Sequence, residues 1–182
     1  KLIEFLNKLP FTSNQKIDKF FNMNSLPNLS LDNNKNNNNN HSEVLCLLGP
    51  SWQKDNMKVL KVIQNLINKK PNKSCYIASQ QLGGLTCKNN LNNSFINRDA
   101  VWKPWINGSW EPGNKIERQK SINWMEECWA NLEFICPGVH LAQIHPHLTW
   151  HQKELSLAFK EWLPKLKKLK TIYDPENVMP IL

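Results

Sequence analysis

The run Glu43-Val44-Leu45-Cys46-Leu47-Leu48-Gly49 constrains the fold more than any other stretch of the chain. It is continuously apolar, of strand length, and closed by Gly49-Pro50, which is the pattern of a core strand with a firm stop. Residues Asp55–Lys69 follow, with Met57, Leu60, Ile63, Leu66 and Ile67 at helical spacing, Asp55 placed to cap and Pro71 placed to stop. Ser74–Ser79 then reads as a second strand. Strand, helix and strand in that order form a unit in which a helix covers a sheet, in an α/β or α+β domain.

The second strand leads into Gly83-Gly84, where paired glycines suit a sharp turn or a close approach by another group. After an Asn-rich loop the chain re-enters order at Phe95-Ile96-Asn97-Arg98 and continues through Trp102 and Trp105 to Trp110. A strand, a glycine turn, a lone Arg and several aromatics could wall a pocket for a planar ligand. The simpler reading is strand, loop and strand with a surface Arg. The chain holds eight Trp in 182 residues. Rings of that size belong in a core, a cleft or an interface.

Glu111-Pro112-Gly113-Asn114 is a turn signal. In the helical pattern Ile116–Leu132 that follows, Ile122, Met125, Trp129 and Leu132 share a face. Pro137-Gly138 breaks the pattern, and Val139–Ile144 alternates weakly as a strand. A last helix over His151–Tyr173 has Thr149 as its cap candidate. Pro164 inside it predicts a kink or two helices, and Asp174-Pro175-Glu176-Asn177 a terminating turn. At the other end, Lys1–Leu9 and Asn14–Met23 read as short amphipathic helices, and the tract Asn33–Asn40 is too polar to bury and reads as a mobile loop. Residues 1–42 are expected to join the 43–182 domain. The chain starts at Lys1 rather than Met, so it reads as a fragment or a processed product.

The net charge of +8 permits an anionic partner. The Lys are scattered, however, and Arg98 and Arg118 are the only Arg, so phosphate or base readout is poorly served; no nucleic-acid partner is expected. No stretch has the apolar length of a membrane span. Five irregularly spaced Cys, with no CxxC pair, indicate reduced thiols and a cytoplasmic setting rather than a zinc site or a disulfide framework. Cys136 and His140 lack a local arrangement for nucleophilic catalysis. His145 and His147 alternate as two metal ligands on a strand would. Pro146 interrupts them and no carboxylate or Cys sits at ligand spacing, so no metal site is assigned.

Two of these stretches carry a family resemblance. Gln81-Leu82-Gly83-Gly84, followed by Phe95-Ile96-Asn97-Arg98-Asp99-Ala100, resembles a segment of FAD-linked oxidases of the berberine bridge enzyme type. Trp162-Leu163-Pro164-Lys165-Leu166-Lys167-Lys168-Leu169-Lys170, then Tyr173-Asp174-Pro175-Glu176-Asn177, is similar to that family's closing helix, and Gly138-Val139-His140 to its glycine-led strand near the flavin. The resemblance covers 43–182 and implies the family's substrate domain alone: a largely antiparallel sheet covered by helices on one face. FAD would be bound mainly by a region absent from this chain, an FAD-binding domain in the same longer protein or a separate chain.

The same resemblance implies oxidation of a small alcohol, sugar or related molecule by hydride transfer to flavin. His140 stands where the family commonly has a Tyr and would be the general base. Arg98, Trp102 and Gln143 would bind substrate, and Gly83, Gly84 and Asn177 would lie against the cofactor. The alternative is a catalytically inactive remnant, an interaction domain whose contact surface is an exposed face around Trp102, Trp105 and Trp110.

Overall fold

The computed structural model describes residues 40–50, 56–88 and 95–178. The two N-terminal helices, nearly all of the Asn-rich tract and the Asp55 cap lie outside the described residues. The elements run β1 (His41–Leu48), α1 (Asn56–Asn68), β2 (Tyr76–Gln81), β3 (Trp102–Trp110), α2 (Lys115–Leu132), β4 (Gly138–His140), α3 (His151–Phe159) and α4 (Leu163–Tyr173), with short 3-10 turns at Gly84–Cys87 and Lys160–Trp162. The sheet order is β2-β3-β1-β4, and each neighbouring pair is antiparallel. β1–α1–β2 is thus a crossover that skips one place, into which β3 inserts, and α2 returns the chain to the far edge. This is the split βαβ arrangement, an α+β fold with a largely antiparallel sheet, as the sequence predicts.

Directly paired strand residues point to one face. Leu45, Ile106 and Ile77 lie in register, Leu47 opposite Val139, and all of them belong to or pack against the main core. This core face is covered by α1 and α2. On α2 the expected Ile122, Met125, Trp129 and Leu132 are all buried, and Met125 sits where a side chain at Gly108 would otherwise be. Trp124 Nε1 donates to the Leu66 carbonyl at 2.8 Å and ties the helices together.

α1 corrects its predicted stripe. Met57, Leu60 and Ile67 are exposed, while Val59 and Leu66 are buried and Val62 and Ile63 pack on the core. The true stripe is Val59-Val62-Ile63-Leu66, spaced i, i+3, i+4 and i+7. The expected stripe had mixed two faces of the helix.

β3 is long and central although it contains Pro104. Its ladder with β1 runs from His41↔Trp110 to Cys46↔Trp105 and resumes only at Gly49↔Trp102. The gap falls at Pro104, which has no N–H to give. Past it, the Gly49 carbonyl accepts from both Val101 and Trp102, at 2.9 and 3.1 Å. A Cβ on Gly49 would lie 2.5 Å from the Ile135 carbonyl oxygen, which is backbone and cannot step aside. Gly49→Ala is expected to cost about 1–3 kcal/mol, read as a lower urea midpoint at unchanged slope.

β4 is shorter than predicted. The Ala142 N–H turns back to the His140 carbonyl at 2.8 Å, ending the strand. The C-terminal pattern divides as Pro164 requires: α3 ends at Lys160 (φ 46°), and Pro164 sits in the first turn of α4, where its missing N–H costs nothing. Thr149 is not the cap of α3. It donates to Glu126 at 2.9 Å, and Trp150 holds the cap position without a side-chain bond.

Candidate functional site

The sheet face opposite α1 and α2 collects the odd-numbered residues of β3. Cys46 and His140 are directly paired across β1 and β4, and Lys103 reaches them from β3, its Nζ 3.5 Å from His140 Nδ1 and 5.0 Å above the Trp105 ring. Phe95 meets the His140 ring edge-on at 6.1 Å. Lys103 is only 7% exposed, and no carboxylate among the described residues pairs with it. Burial first, and the Lys103 charge second, hold the His140 imidazole below the usual histidine range. Burial pushes the neighbouring Cys46 thiol up to about 11, and Lys103 offsets only part of that rise. Cys136 is fully buried, and burial raises its thiol to about 12, so it offers no thiolate to partner His140.

The other predicted site residues are placed as follows. Arg98 lies beside His140 through Phe95: its Nε donates to the Phe95 carbonyl at 2.9 Å and its guanidinium stands 5.3 Å over that ring. Gln143 accepts from the Val44 N–H at 2.7 Å, so its oxygen extends the ladder where β4 has stopped. Trp102 is corrected to the core. Its ring is buried on the helix-covered face, and Nε1 donates to Ser79 at 2.5 Å. Trp110 is buried on that face too, and Trp105 lies on the other, so the exposed three-Trp surface expected of an interaction domain does not form.

Gly83 and Gly84 both adopt positive φ, at 139° and 61°, with open space where a Cβ would stand. They share the sheet end of Gly138 but lie at the opposite edge, three strand spacings or about 14 Å away. Asn177, at φ 53°, donates its N–H to the Asp174 carbonyl in the turn that ends α4. Lys103 escaped the sequence reading because Pro104 disguised the strand. Period-two counting through Trp102–Trp110 would have placed Lys103 and Trp105 on one face.

A second polar cluster lies on the helix-covered side. His145 is fully buried, with Nδ1 2.8 and 3.1 Å from the two oxygens of the buried Glu154. Its Nε2 faces Glu43 Oε2 at 3.5 Å, and Glu43 Oε1 is 2.9 Å from His147 Nε2. A cavity of about 380 Å³ opens on Glu43 and His147, with Lys115 and Arg118 also lining it. Glu43 comes from β1, about a hundred residues away, and Glu154 from α3, nine residues on from His145, so neither stands at ligand spacing beside the histidines.

The fold defines a class: a split βαβ module, with the half-buried His140 beside the buried Lys103 on the sheet face opposite its two packing helices. No family model matches the chain, and no curated protein matches it. Six chains among solved structures do. One is the crystal structure, with pregilvocarcin, of GilR, an oxidoreductase that catalyses the terminal step of gilvocarcin biosynthesis, at a TM-score of 0.55 and 17% identity over 76% of this chain. The chain spans about a third of that protein's length (31%). At such identity the likeness establishes the shared fold. Among the described residues, no helix is long and apolar enough to cross a membrane.

Proposed function

We propose that this chain is the substrate-side part of an FAD-dependent oxidoreductase that oxidises a small alcohol, sugar or related molecule by hydride transfer to flavin. FAD is held mainly by a domain in the same longer protein or by a separate chain. The observation that carries the reading is the His140–Lys103 pair on the sheet face opposite α1 and α2, within a fold shared with part of an oxidoreductase. The sequence resemblance at Gly83-Gly84, Phe95–Ala100 and Tyr173–Asn177 supports it independently.

Two features support a cofactor-facing role. Gly83 and Gly84 leave open space on their Cβ side, and Lys103 supplies a buried positive charge beside a half-buried aromatic ring. When bound, the flavin supplies the two-electron acceptor. The remaining work belongs to this chain. His140, kept neutral by burial and by Lys103, takes the hydroxyl proton as the hydride leaves. Lys103 favours the oxygen on which negative charge develops, and Phe95 and Arg98 fix the imidazole's edge. The test is the visible spectrum of the purified full-length gene product. A yellow protein bleached anaerobically by its alcohol or sugar substrate is the expected result. A protein that stays colourless with added FAD would overturn the reading.

A further inference from the structure

We propose that Glu43, His145 and His147 form a site for one divalent transition-metal ion, of the zinc, iron(II) or manganese(II) kind, with Glu154 as the carboxylate that orients His145. The site lies on the helix-covered side of the sheet and stands or falls independently of the flavin reading.

The argument begins with two atoms. His145 Nδ1 lies within hydrogen-bond distance of both Glu154 oxygens, so it carries a proton and donates it. Nε2 then faces Glu43 Oε2 at 3.5 Å, and both atoms are buried without a hydrogen-bond partner. Were Nε2 also protonated, a charge-assisted N–H···O bond would draw the pair to about 2.7–2.9 Å. Unprotonated, two lone pairs oppose each other inside the protein, a costly arrangement unless a cation lies between them. Two donors each about 2.0–2.1 Å from one tetrahedral ion stand roughly 3.4 Å apart, close to the separation seen.

The surroundings agree. Among the described residues neither Glu43 nor Glu154 pairs with a Lys or Arg; the side chains facing them are His145 and His147. The buried cluster therefore holds two carboxylates without a fixed positive charge. Two imidazoles and one carboxylate are a ligand set that zinc and non-haem iron accept, and a carboxylate on the far nitrogen of a ligating His is the usual second support. Among the described residues no three donors already surround a common point. His147 is 46% exposed and bonded through Nε2 to Glu43 Oε1; turning that ring from Oε1 toward the ion completes the set. Glu43 and His147 also line the cavity, where Arg118 and Lys115 suit an anionic oxygen ligand.

The experiment uses the untagged 182-residue chain, stripped with chelator, dialysed and titrated with Co²⁺, then back-titrated with Zn²⁺. A visible Co²⁺ band that saturates at one equivalent and is displaced by Zn²⁺ is expected. His147→Ala should weaken binding by about 100-fold or more, with the unfolding of the metal-free protein followed alongside because a bond to Glu43 is lost as well, and Glu154→Gln by about 10–100-fold. Absence of a saturable one-equivalent band overturns the site, as does unchanged affinity in His147→Ala. Nitrogen NMR of the metal-free protein showing His145 protonated on both nitrogens also overturns it, because the gap would then be filled by a proton.

Discussion

Glu154→Leu should destabilise the metal-free protein by about 3–5 kcal/mol, the range for breaking a buried pair by removing one partner. The effect follows from where the two side chains sit. His145 is 0% exposed and Glu154 1%, and Nδ1 bonds to both carboxylate oxygens. Leu fills much of the volume but offers no acceptor, so a buried N–H is left unpaired with no route to water. Glu154→Gln keeps both the shape and one acceptor oxygen and is expected to cost less than half as much. Urea unfolding in excess chelator measures both. A Leu variant within about 1 kcal/mol of the parent would mean that the imidazole finds another partner, and that the cluster is not the closed arrangement described.

That cluster also marks where the sequence stops being informative. Helix α2 and the break at Pro164 could be read directly, because 3.6-residue periodicity and proline's missing N–H act within one element. A helix-covered sheet, α/β or α+β, could be read from strand, helix and strand at Glu43–Ser79, since few layer arrangements bury such a unit; the family resemblance chose the antiparallel α+β form. What failed needed partners. Met57, Leu60 and Ile67 have helical spacing yet face outward, because Val59, Val62 and Ile63 make the better stripe against the core. Trp102 and Trp105 are three apart in sequence but lie on opposite faces of a strand. Glu43 and His147 meet only because the 43 end of β1 lies beside the chain leaving β4. Side-chain direction and long-range pairing are tertiary facts, and local composition does not encode them.

The same limit bears on His140, which the family resemblance selects and to which the fold adds Lys103. Once the FAD-binding part is present, His140→Gln is expected to slow hydride transfer by about 10²–10⁴-fold, the usual worth of a positioned acid–base group, with little change in substrate affinity. The pH dependence carries more information. A histidine held below its ordinary range by burial and by Lys103 loses its extra proton at lower pH than usual. The ascending limb of the single-turnover rate should therefore lie below the normal histidine midpoint. Lys103→Met keeps the buried stem and removes the charge; burial, the larger cause, stays. The limb should then move upward in pH yet stop short of the ordinary value, and the rate at pH 6 should fall more than the rate at pH 8. If Lys103→Met lowers the rate equally at both pH values, Lys103 acts on the substrate oxygen and not on the imidazole. If His140→Gln retains full rate, the proton goes elsewhere and this face only orients the substrate.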